Sequence, residues 1–304
     1  MVKTQVRKSQ LTSLPQVGGI PLDLYARLVR RALRRLSQKI RYRRFSLKGV
    51  PVLFANSFPK SGTHLLTQAL QGFPSLGPAV DSGLPAVVTY EGDTGRTRAP
   101  DEILHDLRRF LPGDIGYGHL HAIPELIEFF RQDGYASYFI LRDPRDVVIS
   151  HVHYVTDLEP RHALHCYYTE ELHNFDERLM ISIQGLRGVD FDFPDIYQRF
   201  APYLGWMEIP QVMVLRFEDF IANRILILQE VIEFAVQRGF PLALEKEEAI
   251  SVLASNIDPQ RSPTFRSGKT GGWRSQFTPE HKALFKEICG DLLIRLGYEK
   301  NNDW

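Results

Sequence analysis

The sequence predicts an α/β fold, a parallel β-sheet flanked by helices. Three observations carry this: short apolar runs are spread along the chain, a helical pattern follows each, and a charged motif sits at each run's carboxyl end. Short strands that each lead into a helix are the mark of a parallel sheet, which must be covered on both faces. Such sheets take their ligands at the carboxyl ends of their strands.

The 304 residues, 43% of them hydrophobic, are enough for a single large domain or two modest ones. No apolar run approaches the ~20 residues needed to span a bilayer. The opening MVKTQVRKSQLTSLPQVGG lacks the apolar core of a secretory signal. Cys166 and Cys289 stand in no CxxC or zinc spacing and read as small buried hydrophobes of a reducing compartment. A cytoplasmic location is the expectation. Residues 1–48 contain thirteen of the 37 Lys and Arg and one acid, Asp23, leaving 24 basic and 35 acidic residues in the rest. Charge segregated at one end, rather than gathered around a site, argues against a nucleic-acid partner.

The chain accordingly divides into a basic arm and amphipathic helix over 1–48 and a catalytic domain over 49–304. Residues 1–20 are polar and are expected to be a poorly ordered arm. From Pro21 a helical period places Tyr25, Leu28, Val29, Ala32, Leu33, Leu36 and Ile40 on one face and Arg27, Arg30, Arg31, Arg34 and Arg35 on the other. The simplest expectation is a surface helix packed by its apolar stripe with a solvated arginine face. Contact of residues 21–48 with a membrane surface or an anionic partner is the less favoured alternative.

Pro51–Ser57, Ala136–Leu141 and Gln211–Phe217 are the three strands, followed by helical patterns at HLLTQALQGF, at VVISHVHYV and through Ala235. Between them, residues 75–118 are Gly- and Pro-rich with one helical patch near Asp101–Phe110, and 156–210 hold irregularly spaced aromatics and histidines. Both stretches are candidates for acceptor loops and a cap. A Gly/Ser/Arg-rich segment, 255–279, precedes a last helix expected over Pro279–Leu296.

The first charged motif is Pro59-Lys60-Ser61-Gly62-Thr63-His64, between a strand and a helix. A helix N-terminus offers unpaired N–H groups and partial positive charge, so it cradles phosphate or sulfate. Gly62 admits close approach, Ser61 and Thr63 add hydroxyls, and Lys60 adds a full charge. The Walker pattern GxxxxGK[ST] is absent. The second motif, Arg142-Asp143-Pro144-Arg145-Asp146, has Ser150 about two helical turns beyond Pro144. A strand-end arginine and a helix-borne hydroxyl can clamp a second phosphate. The third runs from Arg266 through Ser267, Gly268, Lys269, Gly271 and Trp273 to Thr278, a glycine-dense basic loop able to close over an anion.

The strand–PKSGT–helix unit, the RDPRDVVIS spacing and the late RxGxxGxW segment, in this order over roughly residues 50–280, resemble the sulfotransferases that use 3′-phosphoadenosine-5′-phosphosulfate (PAPS). The resemblance implies a P-loop-kinase-like sulfotransferase fold. It implies that Lys60, Ser61, Gly62, Thr63 and His64 hold the 5′-phosphosulfate, and that Arg142, Ser150, Arg266, Ser267 and Gly268 bind the 3′-phosphate. It also implies transfer to a small-molecule hydroxyl or amine, release of 3′,5′-adenosine bisphosphate, and no metal. In Tyr117-Gly118-His119-Leu120-His121, His119 matches the family's histidine base and Tyr117 replaces a lysine; His121 is the alternative. Imidazole, with an unperturbed pKa of ~6.5, is a competent base near neutrality.

The departures are specific. Leu65 replaces a tryptophan that stacks on adenine, Ser267 a lysine and Gly272 an aspartate. Arg274 and Thr278 keep part of the family's dimer motif, which Pro279 and Ala283 break. Leu65 and the histidine- and tyrosine-rich 153–173 stretch suggest a bacterial-style branch that tailors a specialised metabolite. His151, His153, His162, His165 and His173 invite a metal reading with Asp157, Glu170 and Glu171, but no HExxH or cysteine pairing accompanies them. Two competing functions share the strand–loop–helix core: a nucleotide-type kinase, and a non-catalytic anion-binding relic.

Overall fold

The computed structural model describes residues 16–17, 20–91, 96–188, 192–262 and 268–304. In chain order the elements begin with a hairpin, β1 (Gln16–Val17) and β2 (Ile20–Pro21), and α1 (Leu22–Arg41). Then come β3 (Val52–Ser57), α2 (Thr63–Leu70), β4 (Val80–Asp81) and β5 (Val87–Val88). A second hairpin, β6 (Tyr90–Glu91) and β7 (Arg96–Thr97), precedes α3 (Pro100–Leu107), β8 (Asp114–His119), α4 (Pro124–Arg131), β9 (Tyr135–Leu141) and α5 (Pro144–His153). After two π-helical turns, Tyr154–Leu158 and Tyr167–Glu171, follow α6 (Phe175–Gln184), α7 (Ile196–Phe200), β10 (Val212–Arg216), α8 (Phe217–Ala222) and α9 (Arg224–Gln237). The chain closes with α10 (Lys246–Asn256), α11 (Trp273–Gln276), α12 (Pro279–Cys289) and α13 (Leu292–Arg295).

The main sheet has the order β10-β9-β3-β8-β4, with β5 also paired to β8, and every pairing in it is parallel. Alternate residues of each strand feed two cores, one per face. Val52 and Phe54, with Tyr135, Phe139 and Leu141, pack on one side; Leu53 and Ala55, with Ala136, Tyr138 and Ile140, pack on the other. This explains why the strands read as continuous apolar runs rather than alternating ones. The three expected strands are present; the Lys60 and Arg142 motifs follow the carboxyl ends of β3 and β9, and the acidic pair Glu218-Asp219 follows that of β10.

Three differences from expectation have physical causes. The sheet contains a strand, β8, inside the stretch read as loop. Its glycines disguise it, yet they are required: a Cβ on Gly116 would lie 2.4 Å from the Phe110 ring, and one on Gly118 would lie 2.2 Å from the Val87 carbonyl oxygen. The last helix breaks at Gly290, whose φ of 52° ends α12 before α13 begins.

The third difference is the orientation of α1, which overturns the expected packing of its apolar stripe. Arg31 is 5% exposed and pairs with the fully buried Asp114, while Arg35 Nη1 donates to the other Asp114 oxygen at 2.8 Å. Arg27 donates to the Gly83 carbonyl at 2.9 Å and Arg34 to the Asp81 carbonyl at 2.8 Å. Arg31 and Arg35 also reach the carbonyls of Arg109 and Pro112. Arg27, Arg31, Arg34 and Arg35 therefore turn toward the protein and cap acceptors along the β4 edge, while Arg30 stays exposed. Leu33, Leu36 and Ile40 turn outward, 61%, 56% and 69% exposed. A buried carboxylate demands cations more strongly than a surface leucine demands cover.

Candidate active site

The loop from β3 to α2 is built by two left-handed residues. Lys60 has φ 70°, the one positive-φ residue other than glycine among the described residues, and Gly62 has φ 101°. Holding a lysine there costs about 1–2 kcal/mol, a strain that accumulates at ligand-binding turns. Gly62 has no substitute: a Cβ would lie 2.7 Å from the Phe217 ring and 3.2 Å from Ile140 Cδ1. This geometry opens the N-terminus of α2 with no side-chain cap, leaving its N–H groups to an anion. Ser61 is fully buried, and its hydroxyl finds no hydrogen-bond partner among the described residues. Lys60 Nζ rests 3.9 Å from the Tyr154 ring centroid. Burial pushes the Lys60 ammonium down to about 8, and the Arg142 guanidinium adds to the effect.

The Arg142–Asp146 motif joins this loop to the late segment. Asp143 caps α5, accepting from the Arg145 N–H at 2.9 Å, with Pro144 at the first helical position. Arg142 lies over the Phe217 ring and donates to the Lys269 carbonyl at 2.9 Å. Asp146 is buried and accepts from the Gly271 N–H at 2.7 Å and the Trp273 N–H at 3.0 Å. One carboxylate thus fastens the glycine-rich loop to α5. Arg145 does not reach the cavity; it lies between the Trp273 and Trp304 rings, 3.6 and 4.5 Å from their centroids, and pairs with Asp143 and Glu299.

His119 ends β8. Its Nδ1 lies 2.9 Å from the Ser57 carbonyl oxygen and 3.1 Å from Ser57 Oγ, which shares a 2.7 Å hydrogen bond with Thr63 Oγ1. A carbonyl only accepts, so Nδ1 carries the proton and Nε2 keeps a lone pair. Burial lowers the His119 pKa; the hydrogen bond to Ser57 opposes this, and the charges of His64 and Lys60 reinforce it. The ring is therefore neutral at pH 7. Its loop is clamped by Asn56, whose amide donates to the Leu120 carbonyl at 3.1 Å and accepts from the Leu120 N–H at 2.8 Å. Trp206 Nε1 donates to the same carbonyl at 2.6 Å. His121 packs edge-on against Tyr203, 4.9 Å between ring centroids, away from the cavity lining.

A cavity of about 480 Å³ brings Lys60, Gly62, Thr63, His64, His119, Arg142, Ser150 and Gly268 together. Ser61 lies buried beneath it, and Arg266 and Ser267 fall outside the described residues. Leu65 also lines it, with Phe217, Ile221, Ile257 and Pro259. The profile of the sulfotransferase domain matches residues 138–297, more than half of the chain. The chain belongs to the sulfotransferase family. Solved structures share this sulfotransferase's fold at low identity. Retinol dehydratase, in complex with androsterone and the inactive cofactor PAP, has a TM-score of 0.54 at 16% identity, covering 86% of this chain and 85% of its own. The mouse sulfotransferase SULT7A1, complexed with PAP, has a TM-score of 0.53 at 17% identity, covering 90% and 92%. No curated protein sequence matches the chain.

Several residues of the sulfotransferase's site had no role assigned from the sequence. Tyr154 reads as one more helix residue until Lys60 is seen over its ring, and Asp146 and Asn56 gain their roles only through partners distant in sequence. The histidine-rich stretch is tied up locally: His165 Nδ1 meets the Val155 carbonyl at 2.7 Å, His151 meets Ser182 Oγ at 3.1 Å, and His153 meets Asp157 at 3.1 Å. Among the described residues no three His, Cys, Asp or Glu side chains are grouped to hold a metal, and no helix is long and apolar enough to cross a membrane.

Proposed function

We propose that this sulfotransferase moves the sulfuryl group of PAPS to a hydroxyl or amine of a small molecule, with His119 as general base. The observation that carries the reading is the left-handed Lys60–Gly62 turn beside a histidine whose Nδ1 is committed to Ser57. The unpartnered buried Ser61 hydroxyl and the uncapped α2 N-terminus fit a sulfate or phosphate. Arg142, Ser150 and Gly268 supply the 3′-phosphate clamp. Leu65, Phe217, Ile221, Ile257 and Pro259 form an apolar wall for the purine in place of a stacking tryptophan. Androsterone and retinol, bound in structures of the similar retinol dehydratase, support a small apolar acceptor.

His119 Nε2 takes the acceptor's proton as the acceptor oxygen or nitrogen bonds to sulfur, and the bond from sulfur to the bridging phosphate oxygen breaks. Lys60 and the α2 amides stabilise the charge left on that oxygen, giving 3′,5′-adenosine bisphosphate. Asn56, Trp206 and the Ser57 carbonyl hold the imidazole in place.

Calorimetry with adenosine bisphosphate and 5′-AMP tests the donor site. A charge-assisted contact of ~1.5–3 kcal/mol predicts at least tenfold tighter binding of the bisphosphate. Arg142→Ala is expected to erase that preference, and equal affinities in the unaltered protein would overturn the donor assignment.

Lys60 adds a proton-linked signature. In the free protein its ammonium dissociates near pH 8, while a bound anion restores the charge toward the ordinary 10.5. Between those values the complex holds more protons than the free protein, so affinity falls by up to about tenfold per pH unit. Titrations at pH 9 in buffers of differing ionisation enthalpy should show uptake approaching one proton. Lys60→Met should abolish the uptake.

A further inference from the structure

We propose that α1 docks this protein onto an anionic lipid surface, lying in the plane of the interface with Tyr25, Val29, Leu33, Leu36 and Ile40 in the apolar layer. These five side chains are exposed along one face of a 20-residue helix. That face is the opposite of the one packed on the protein, because Arg27, Arg31, Arg34 and Arg35 are spent on Asp114 and on backbone carbonyls. The inward charges hold the helix in place, and the outward surface is free to be apolar.

The charge around the stripe selects the occupant. Arg30, Lys39, Arg41, Arg43 and Arg44 are exposed beside the stripe and just after it. The one acid of residues 1–48, Asp23, sits at the amino end of the helix. An apolar stripe bordered by cations is the pattern of an interfacial helix attracted to acidic headgroups. A second copy fits poorly, since stripe-to-stripe contact sets one cationic border against another. The rest of the chain has the opposite balance, 24 basic against 35 acidic residues. The same headgroups that attract α1 therefore repel the body, and the two effects fix which side faces the lipid.

The test is co-sedimentation of the full chain with phosphatidylcholine vesicles, with and without phosphatidylserine. Binding to the phosphatidylserine vesicles is expected, at least tenfold weaker without the acidic lipid and weakened by salt. Leu33→Glu combined with Leu36→Glu should abolish it while leaving the melting temperature and bisphosphate binding unchanged, since both side chains are exposed. Arg30→Gln, Arg43→Gln and Arg44→Gln together should weaken binding and flatten its salt dependence. No vesicle binding by the unaltered chain, or binding indifferent to the double Glu variant, overturns the proposal. So does a lipid-free dimer that the double variant splits, which gives the face to a second copy. Vesicle binding that appears only after removal of residues 1–15 gives the face to the chain's own arm and also overturns it.

Discussion

His119→Ala is expected to lower turnover by about 10²-fold or more while leaving the affinity for adenosine bisphosphate nearly intact, because a base acts in the transition state. The structure sharpens the pH dependence. The proposed base must be neutral to act, and burial holds the His119 pKa below the ordinary 6.5. Activity should therefore be flat at neutrality and fall only as acid protonates the ring. The alanine variant should lose that limb along with the rate. His121→Ala should have a far smaller effect, since His121 packs on Tyr203. If His121→Ala proves the crippling change, the two roles must be exchanged. If neither matters, the acceptor is an amine whose proton needs no strong base.

Asp146→Ala is expected to cost about 3 kcal/mol. It strands the Gly271 and Trp273 N–H groups and removes a carboxylate 3.7 Å from Arg142. At this chain length such a loss lowers Tm by roughly 5 °C. The glycine-rich loop should also come away from α5, so bisphosphate affinity should fall at least tenfold, the reverse of the His119 pattern. Asp146→Asn restores one acceptor and should land between. An Asp146→Ala protein with unchanged Tm and unchanged nucleotide affinity would show that the tie is dispensable.

What could be read from the sequence was what depends on local conformation. Gly62 and Lys60 mark a turn whether or not the sheet is known, and Val52–Ser57 and Tyr135–Leu141 announce themselves because both faces of each strand are buried. What could not be read depends on partners. β8 hides because Gly116 and Gly118 answer to Phe110 and Val87, not to strand propensity. The periodicity of α1 identified a helix and its two faces, but which face turns inward was decided by Asp114, some eighty residues away. The apolar-inside rule misled because a buried carboxylate outbids it. Asn56 and Asp146 are of the same kind, ordinary polar residues that become clamps through distant backbone groups.

The fastening of the late loop also bears on how the protein is made. Arg142 and Lys269 are separated by 127 positions and Asp146 and Gly271 by 125, while β3, the earliest strand of the main sheet, lies between β8 and β9. During synthesis the left-handed turn at Lys60 leaves the ribosome long before the strands beside it, and the loop fastened by Asp146 arrives near the end. A nascent chain therefore has no complete nucleotide pocket, and the donor cannot act as a template for early folding. Parallel pairings this far apart in sequence form slowly. The exposed sheet edges of the unfinished chain must be shielded by helices still being translated, or by chaperones.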